Sequence, residues 1–290
     1  MQSVMVVGCG DVGLRVARHW ADRGVTVTGV VRSEHSAGRL EQVGIASLQL
    51  DLDQPGEVML PDPAGAVIHY HVPPPREGQG DPRINRFLSL LDQRGHYPQR
   101  IVYLSTSGVY GDCNGEWVTE ERPPAPDSDR GRRRLAAEQN LLAWAEPRGV
   151  ETVILRVPGI YGPGRLPIKR LRSGAPVVDE RECAFSNRIH AEDLARIDVA
   201  AAERGRPGAV YNASDGHPTT MTDYFMQVCE LLGLEPPPII SLDEAREIMT
   251  PAMLSFLGES RRLDNSQMLR DLKVKLRYPT LEKGLKTVIR

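Results

Sequence analysis

Apolar and polar residues fall into blocks along the 290-residue chain, and the blocks switch between two periods. Val4 to Val7 is an unbroken apolar run of strand length, the pattern of a strand covered on both faces. The next block repeats its apolar residues at helical spacing, with Leu14, Ala17 and Ala21 on one face, and Gly24 stops it. Val25 to Val31, Ile45 to Leu50 and Ala66 to His71 read as three more strands. Pro73, Pro74 and Pro75 then take the chain out of the sheet, because proline can neither extend a ladder nor enter a helix interior. Ile84, Phe87, Leu88 and Leu91 stripe a helix over Arg83 to Leu91, and a fifth strand starts at Ile101. A helix is predicted over about 131–146 and a sixth strand over Thr152 to Val157. Residues 165–186 lose this rhythm. A helix opens within 187–195 and runs to about Glu203, and Ala209 to Asn212 is a last strand. Residues 218–290 are helical patterns broken by Pro236, Pro237 and Pro238, and no internal repeat is visible.

Strand and helix alternating in this way predict an α/β fold, a Rossmann-type doubly wound and mostly parallel sheet with a small C-terminal substrate lobe. The dinucleotide-binding domain is expected over 1–165 plus 187–213, and the lobe over 166–186 plus 214–290.

The first strand ends in Gly8-Cys9-Gly10-Asp11-Val12-Gly13, a G-x-G-x-x-G turn set between a strand and a helix. Gly8 permits the tight turn, Gly10 lets a pyrophosphate approach the backbone, and Gly13 lets the helix pack on the strand. Cys9 reads as a small residue in that turn. The second strand ends at Arg32 and Ser33, about 19 residues after Gly13, with Arg39 nearby. An acidic residue there would take a ribose 2′-hydroxyl, whereas an arginine fork matches a 2′-phosphate. NADP is therefore expected, with NAD as the alternative. Asp51, Leu52 and Asp53 close the third strand, where a polar group either meets the adenine edge or caps a turn. The fifth strand ends in Ser105-Thr106-Ser107, hydroxyls at the sheet edge where ligands collect. His69 and His71 read most simply as packing or hydrogen-bonding residues.

A net charge of −2 excludes a large nucleic-acid footprint, and no apolar run approaches membrane-spanning length. The first strand begins almost at Met1, which predicts no leader. The four cysteines lack metal-ligand spacing and read as reduced thiols, so a cytoplasmic setting and no metal are expected.

These stretches together resemble the extended short-chain dehydrogenase/reductase family, with its nucleotide-sugar epimerases and dehydratases. The matching runs are Ser105 to Gly111, Leu155 to Gly164, Arg188 to Ala195, Val210 to Ala213, and Arg262 with Leu263 to Ser266. The resemblance implies that Thr106 supplies the catalytic hydroxyl and that Pro158 lies along the nicotinamide. His190 and Asp193 would belong to the segment returning to the cofactor domain. The family's Tyr-x-x-x-Lys pair falls on Arg130 and Arg134. Arginine stays protonated, so Arg130 cannot be the usual base. Arg134 can still donate to the nicotinamide ribose, or both can hold an anionic substrate, or both can belong to a solvated helix start. The arginines at 130–134 and 165–172 hint at an anionic substrate such as a nucleotide-linked sugar. Tyr110, Tyr161 and His190 stand as proton-transfer candidates, each with packing as the plainer reading. The expected function is an NADP-dependent epimerase/dehydratase or oxidoreductase acting on a small polar molecule. The alternative is a non-catalytic NADP(H) sensor. The resemblance also implies a homodimer through the helix at 131–146, where Leu135, Leu142 and Trp144 pack either within the fold or against a partner.

Overall fold

The computed structural model describes residues 3–56, 58–250, 254 and 257–288. Seven strands form the central sheet: β1 (Ser3–Val7), β2 (Thr26–Val31), β3 (Ala46–Gln49), β4 (Val67–Tyr70), β5 (Arg100–Thr106), β6 (Glu151–Val157) and β7 (Val210–Asn212). Their order is 3-2-1-4-5-6-7, and every pairing is parallel. The winding reverses between β1 and β4, which opens a crevice at the carboxyl ends of those strands.

Helices α1 (Asp11–Ala21), α2 (Glu34–Glu41) and α6 (Ala191–Arg204) pack on one face, and α3 (Pro82–Arg94) and α4 (Asp129–Ala145) on the other. The buried stripe of α1 is Val12, Val16, Ala17 and Trp20, so Val12 is a core residue and Ala21 faces outward. Helix α3 starts on the Asp81 cap with Pro82 in its first turn, and it buries Ile84, Phe87, Leu88 and Leu91 as the pattern predicts. The pattern misses α2, which buries only Leu40 and so has no stripe to read.

The stretch 187–190, expected as helix, is a short strand over Arg188–His190 that pairs parallel with Gly159–Tyr161. Helix α6 begins one residue later, where the His190 side chain accepts from the Glu192 N–H. The loop 112–129 contains a strand, Trp117–Val118, tied to Arg262–Leu263.

Helices α5 (Ile168–Arg172), α7 (Met221–Leu232), α8 (Leu242–Ile248), α9 (Ser266–Leu272) and α10 (Leu281–Leu285) complete the described fold. A separate cluster of Tyr161, Leu171, Val177, Tyr224, Phe225, Val228, Leu281 and Leu285 forms the core of the smaller lobe. Helix α9, placed with the lobe on sequence grounds, buries Met268 and Leu272 in the same cluster as α1 and α6. The chain therefore returns to the sheet face before α10. Leu135 and Trp144 of α4 pack within the fold, while Leu142 is exposed.

Candidate functional site

The glycine turn is bent back on the sheet: the Gly8 and Cys9 N–H groups both donate to Val30 O, at 3.0 and 3.1 Å. Gly8 has φ +84°, and a Cβ there would come within 2.9 Å of Val72 N. A Cβ on Gly13 would meet Gly8 O at 3.0 Å and Val6 Cγ1 at 3.1 Å. Gly10, the residue before α1, has only Gly8 O within reach at 3.9 Å. That open position lets a ligand phosphate approach the N-terminus of α1, so the turn fits a dinucleotide pyrophosphate. Burial pushes the Cys9 thiol up to about 12, which removes it as a reactive thiolate.

A cavity of about 330 Å³ lies on the β2 side of the turn. Arg32, Ser36, Leu52 and Asp53 line it. Arg32 is exposed at the rim. The Ser33 hydroxyl caps α2 by accepting from Ser36 N at 3.4 Å. Asp51 accepts from Asp53 N at 2.9 Å, the turn-capping use left open by the sequence. Asp53 receives both arms of the Arg83 guanidinium at 2.6 Å, and this pairing holds its carboxyl below the usual range. Asp11 pairs with Arg15 at 3.3 Å and Arg165 at 2.6 Å, which ties the turn to the loop entering the lobe.

A second cavity, of about 560 Å³, opens on the β5 side, and Pro73 lines both. Its wall is built from Leu104 to Gly108, the start of α4, and Val157 to Ile160, so Thr106 and Pro158 both face it. Thr106 caps a single 3₁₀ turn, Ser107–Tyr110, accepting from Gly108 N at 3.3 Å. Helix α4 carries Arg130, Arg134 and Glu138 at four-residue spacing, hence on one face. Arg134 donates to Leu104 O at 2.9 Å and to the Tyr103 hydroxyl at 3.1 Å, so it is fixed at the end of β5. Glu138 is buried and paired with Arg156 at 2.8 Å. Ser105, expected to contact the cofactor, lines the cavity but donates its hydroxyl to the buried Glu138 at 2.5 Å.

The structure puts the three proton-transfer candidates in buried, packed positions. Tyr110 is 1% exposed, donates to Asn212 Oδ1 at 2.9 Å, and has its phenol pushed up to about 12 by burial. Tyr161 belongs to the lobe core and donates to Thr280 O at 3.3 Å; burial pushes its phenol far above the usual range. His190 caps α6, contacts Thr287 Oγ1 at 3.1 Å, and is pushed toward the neutral form by burial. None of the three lines the 560 Å³ cavity. Among the described residues of that lining, Glu259 is the one carboxylate, and it pairs with Arg261 at 2.8 Å. Sequence reasoning misses Glu259, because it lies 121 positions beyond Glu138 in a stretch without a motif.

Beneath the turn runs a buried polar chain. The Trp20 indole donates to His69 Nε2 at 2.9 Å, so the His69 proton sits on Nδ1, which faces Asp198 Oδ1 at 2.7 Å. His71 Nε2 meets Asp198 Oδ2 at 2.5 Å. Burial works against the Asp198 charge, but the two imidazoles hold its carboxyl well below the usual range. His69, His71 and Asp198 bring ligand-type atoms within 4.8 Å of one another. Both carboxylate oxygens and three of the four imidazole nitrogens already have hydrogen-bond partners, so a metal would have to displace them.

Residues 4–214 match the family described as NAD dependent epimerase/dehydratase. Protein YeeZ of Escherichia coli (strain K12) is 29% identical over 289 residues, covering 96% of this chain and 97% of its own. A functionally unknown conserved protein from Silicibacter pomeroyi DSS has a solved structure that is 31% identical, with a TM-score of 0.86, covering 100% of this chain and 98% of that one. MoeE5, solved in complex with UDP-glucose and NAD, has a TM-score of 0.75 at 24% identity, covering 99% and 97%; this is a likeness of fold. No described helix is long and apolar enough to cross a membrane.

Proposed function

The chain belongs to the NAD dependent epimerase/dehydratase family, and from that premise we propose that it carries out NADP-dependent epimerase/dehydratase or oxidoreductase chemistry on a small polar substrate. The observation that carries this reading is the pair of cavities meeting at Pro73 across the glycine turn, with Thr106 and Pro158 in the wall of the larger one. When bound, the dinucleotide would accept or return a hydride at its nicotinamide. Gly8 and Gly10 would cradle its pyrophosphate, Gly13 would seat α1 against the strand beneath it, and Arg32 would meet a 2′-phosphate at the rim. Thr106 would orient the substrate oxygen. Arg130 and Arg134 stand where the family's tyrosine and lysine are expected, so proton exchange falls to Glu259. Its position in the same wall supports that role.

Calorimetric titration with NADP and NAD tests the cofactor half. Arg32→Ala is expected to lose about 10- to 150-fold in NADP affinity, the worth of one charge-assisted contact, with NAD affinity nearly unchanged. Equal affinity of the native protein for the two dinucleotides would defeat the NADP assignment. The catalytic half is tested by NADPH oxidation against a panel of carbonyl compounds, with Thr106→Ala and Glu259→Gln as variants. Turnover abolished in both supports an enzyme.

A second reading, a non-catalytic NADP(H) sensor, is favoured by the two arginines at the head of α4. Tight binding with no turnover on any carbonyl would select it.

A further inference from the structure

We propose that the larger cavity is built for an oxyanion, a carboxylate or phosphate carried by the substrate beside its reacting carbon, and that Arg130, Arg134, Arg188 and Arg261 hold it there. This deepens the proposed function and rests on that cavity being the substrate site.

Among the described residues, the lining holds six arginines, Arg76, Arg130, Arg133, Arg134, Arg188 and Arg261, against the single carboxylate of Glu259. Two of them are buried without full satisfaction. Arg188 is 6% exposed, and its hydrogen bonds go to Ser186 Oγ at 3.3 Å and Met221 Sδ at 3.4 Å. It stacks on the Tyr224 ring at 4.1 Å, and its Nε is buried with no partner. Arg261 is 8% exposed, bonded to Glu259 and to Gly111 O, and its Nε is also buried with no partner. Six guanidiniums against one carboxylate leave the wall with an excess of positive charge, which a bound oxyanion offsets. Arg130 is exposed at its surface, yet partial desolvation of its guanidinium lowers it from its ordinary range, with Arg261, Arg134 and Arg133 adding to the strain on its charge although Glu259 opposes them.

Position points to the reacting end of the cavity. A Cβ on Gly159 would fall 2.5 Å from an Arg188 terminal nitrogen, so the absence of a side chain there makes room for the guanidinium beside Pro158. A terminal nitrogen of Arg130 lies 3.9 Å from the Cβ position of Gly108, two residues after Thr106. Arg134 is anchored on Leu104 O, at the end of the same strand. The guanidiniums thus approach Thr106 and Pro158 from both walls. The other basic stretch, 165–172, is engaged elsewhere: Arg165 pairs with Asp11, and Arg170 donates to Pro176 O.

The test is calorimetric titration of the NADP-loaded full chain with oxalate, inorganic phosphate and UDP. One saturable site is expected, with the dissociation constant raised about tenfold or more in Arg130→Gln and in Arg134→Gln. Arg188→Gln removes a buried side chain and risks the fold, so the two α4 variants carry the test. Tighter binding of oxalate assigns a carboxylic acid as the source, and tighter phosphate or UDP a phosphorylated one. The absence of a saturable site for all three anions, or equal affinity in the native protein and both variants, would overturn the proposal. Binding intact without carbonyl turnover would instead count against the enzyme reading alone.

Discussion

Asp215 is 4% exposed, and only one of its oxygens has a partner, the His217 N–H at 3.0 Å. Burial pushes its carboxyl from 3.8 up to about 7, although the His217 N–H, the His217 charge and Arg188 pull the other way. A raised folded-state pKa means that the neutral form is favoured by folding. That contribution is complete below about pH 4 and is lost as the pH rises through about 7. Asp215→Asn removes the ionisation. It is expected to match the native protein in urea denaturation near pH 4 and to be more stable at pH 8. A tenfold difference in proton affinity between the folded and unfolded chain corresponds to about 1.4 kcal/mol, so the gain is a few kcal/mol at most. The same stability difference at both pH values would contradict this. Asp198 is the opposite case, an anion kept charged by two histidines. Asp198→Ala is expected to cost about 3–5 kcal/mol by chemical denaturation, the range for breaking a buried pair. Neither residue was legible in the sequence. Asp198 is separated from His69 by 129 positions, and nothing in either stretch signals the other.

At the scale of elements, the site depends on how closely α4 meets the 3₁₀ turn that Thr106 caps. A Cβ on Gly131 would come within 2.6 Å of Gly108 O and 2.7 Å of Pro126 Cβ. Alanine is the better helix former by about 1 kcal/mol, yet Gly131→Ala is expected to lower the melting temperature, because overpacking costs about 1–3 kcal/mol. Gly38→Ala in α2 meets nothing within 4 Å, so there the same exchange is expected to raise it. Thermal melts of the two variants side by side check both signs. The strands and the long helices were readable because their apolar periods are local. Arg188–His190 was not, since a three-residue strand is defined by its partner Gly159–Tyr161 rather than by its own pattern.

Across the whole molecule, the two halves of the crevice were unequally legible. The half proposed for the dinucleotide is centred on one continuous stretch, strand to turn to helix, whose glycines announce their spacing, although residues near 30–36, 50–53, 71–73 and 83 complete its cavity. The half proposed for the substrate is assembled from five separated regions, near residues 73–76, 104–108, 130–134, 157–160 and 185–188, with Met221, Glu259 and Arg261 added from further along. Its charge is therefore a product of folding. Residues 130–134 alone look like an ordinary basic helix start; only in the fold do Arg188 and Arg261 join them.

The hydrogen-bonded chain from Trp20 to His71 gives the protein an optical readout. Trp20 is 3% exposed, while Trp117 is 52% exposed, and His71 at the far end of the chain lines the 330 Å³ cavity proposed for the dinucleotide. Trp20 emission should be blue-shifted and shielded from iodide, whereas Trp117 emission should be red-shifted and readily quenched. Filling the cavity beside His71 would change the polarity felt along the imidazoles and alter the blue component. Trp20→Phe should abolish that response, so an intrinsic fluorophore follows occupancy of the crevice without a label.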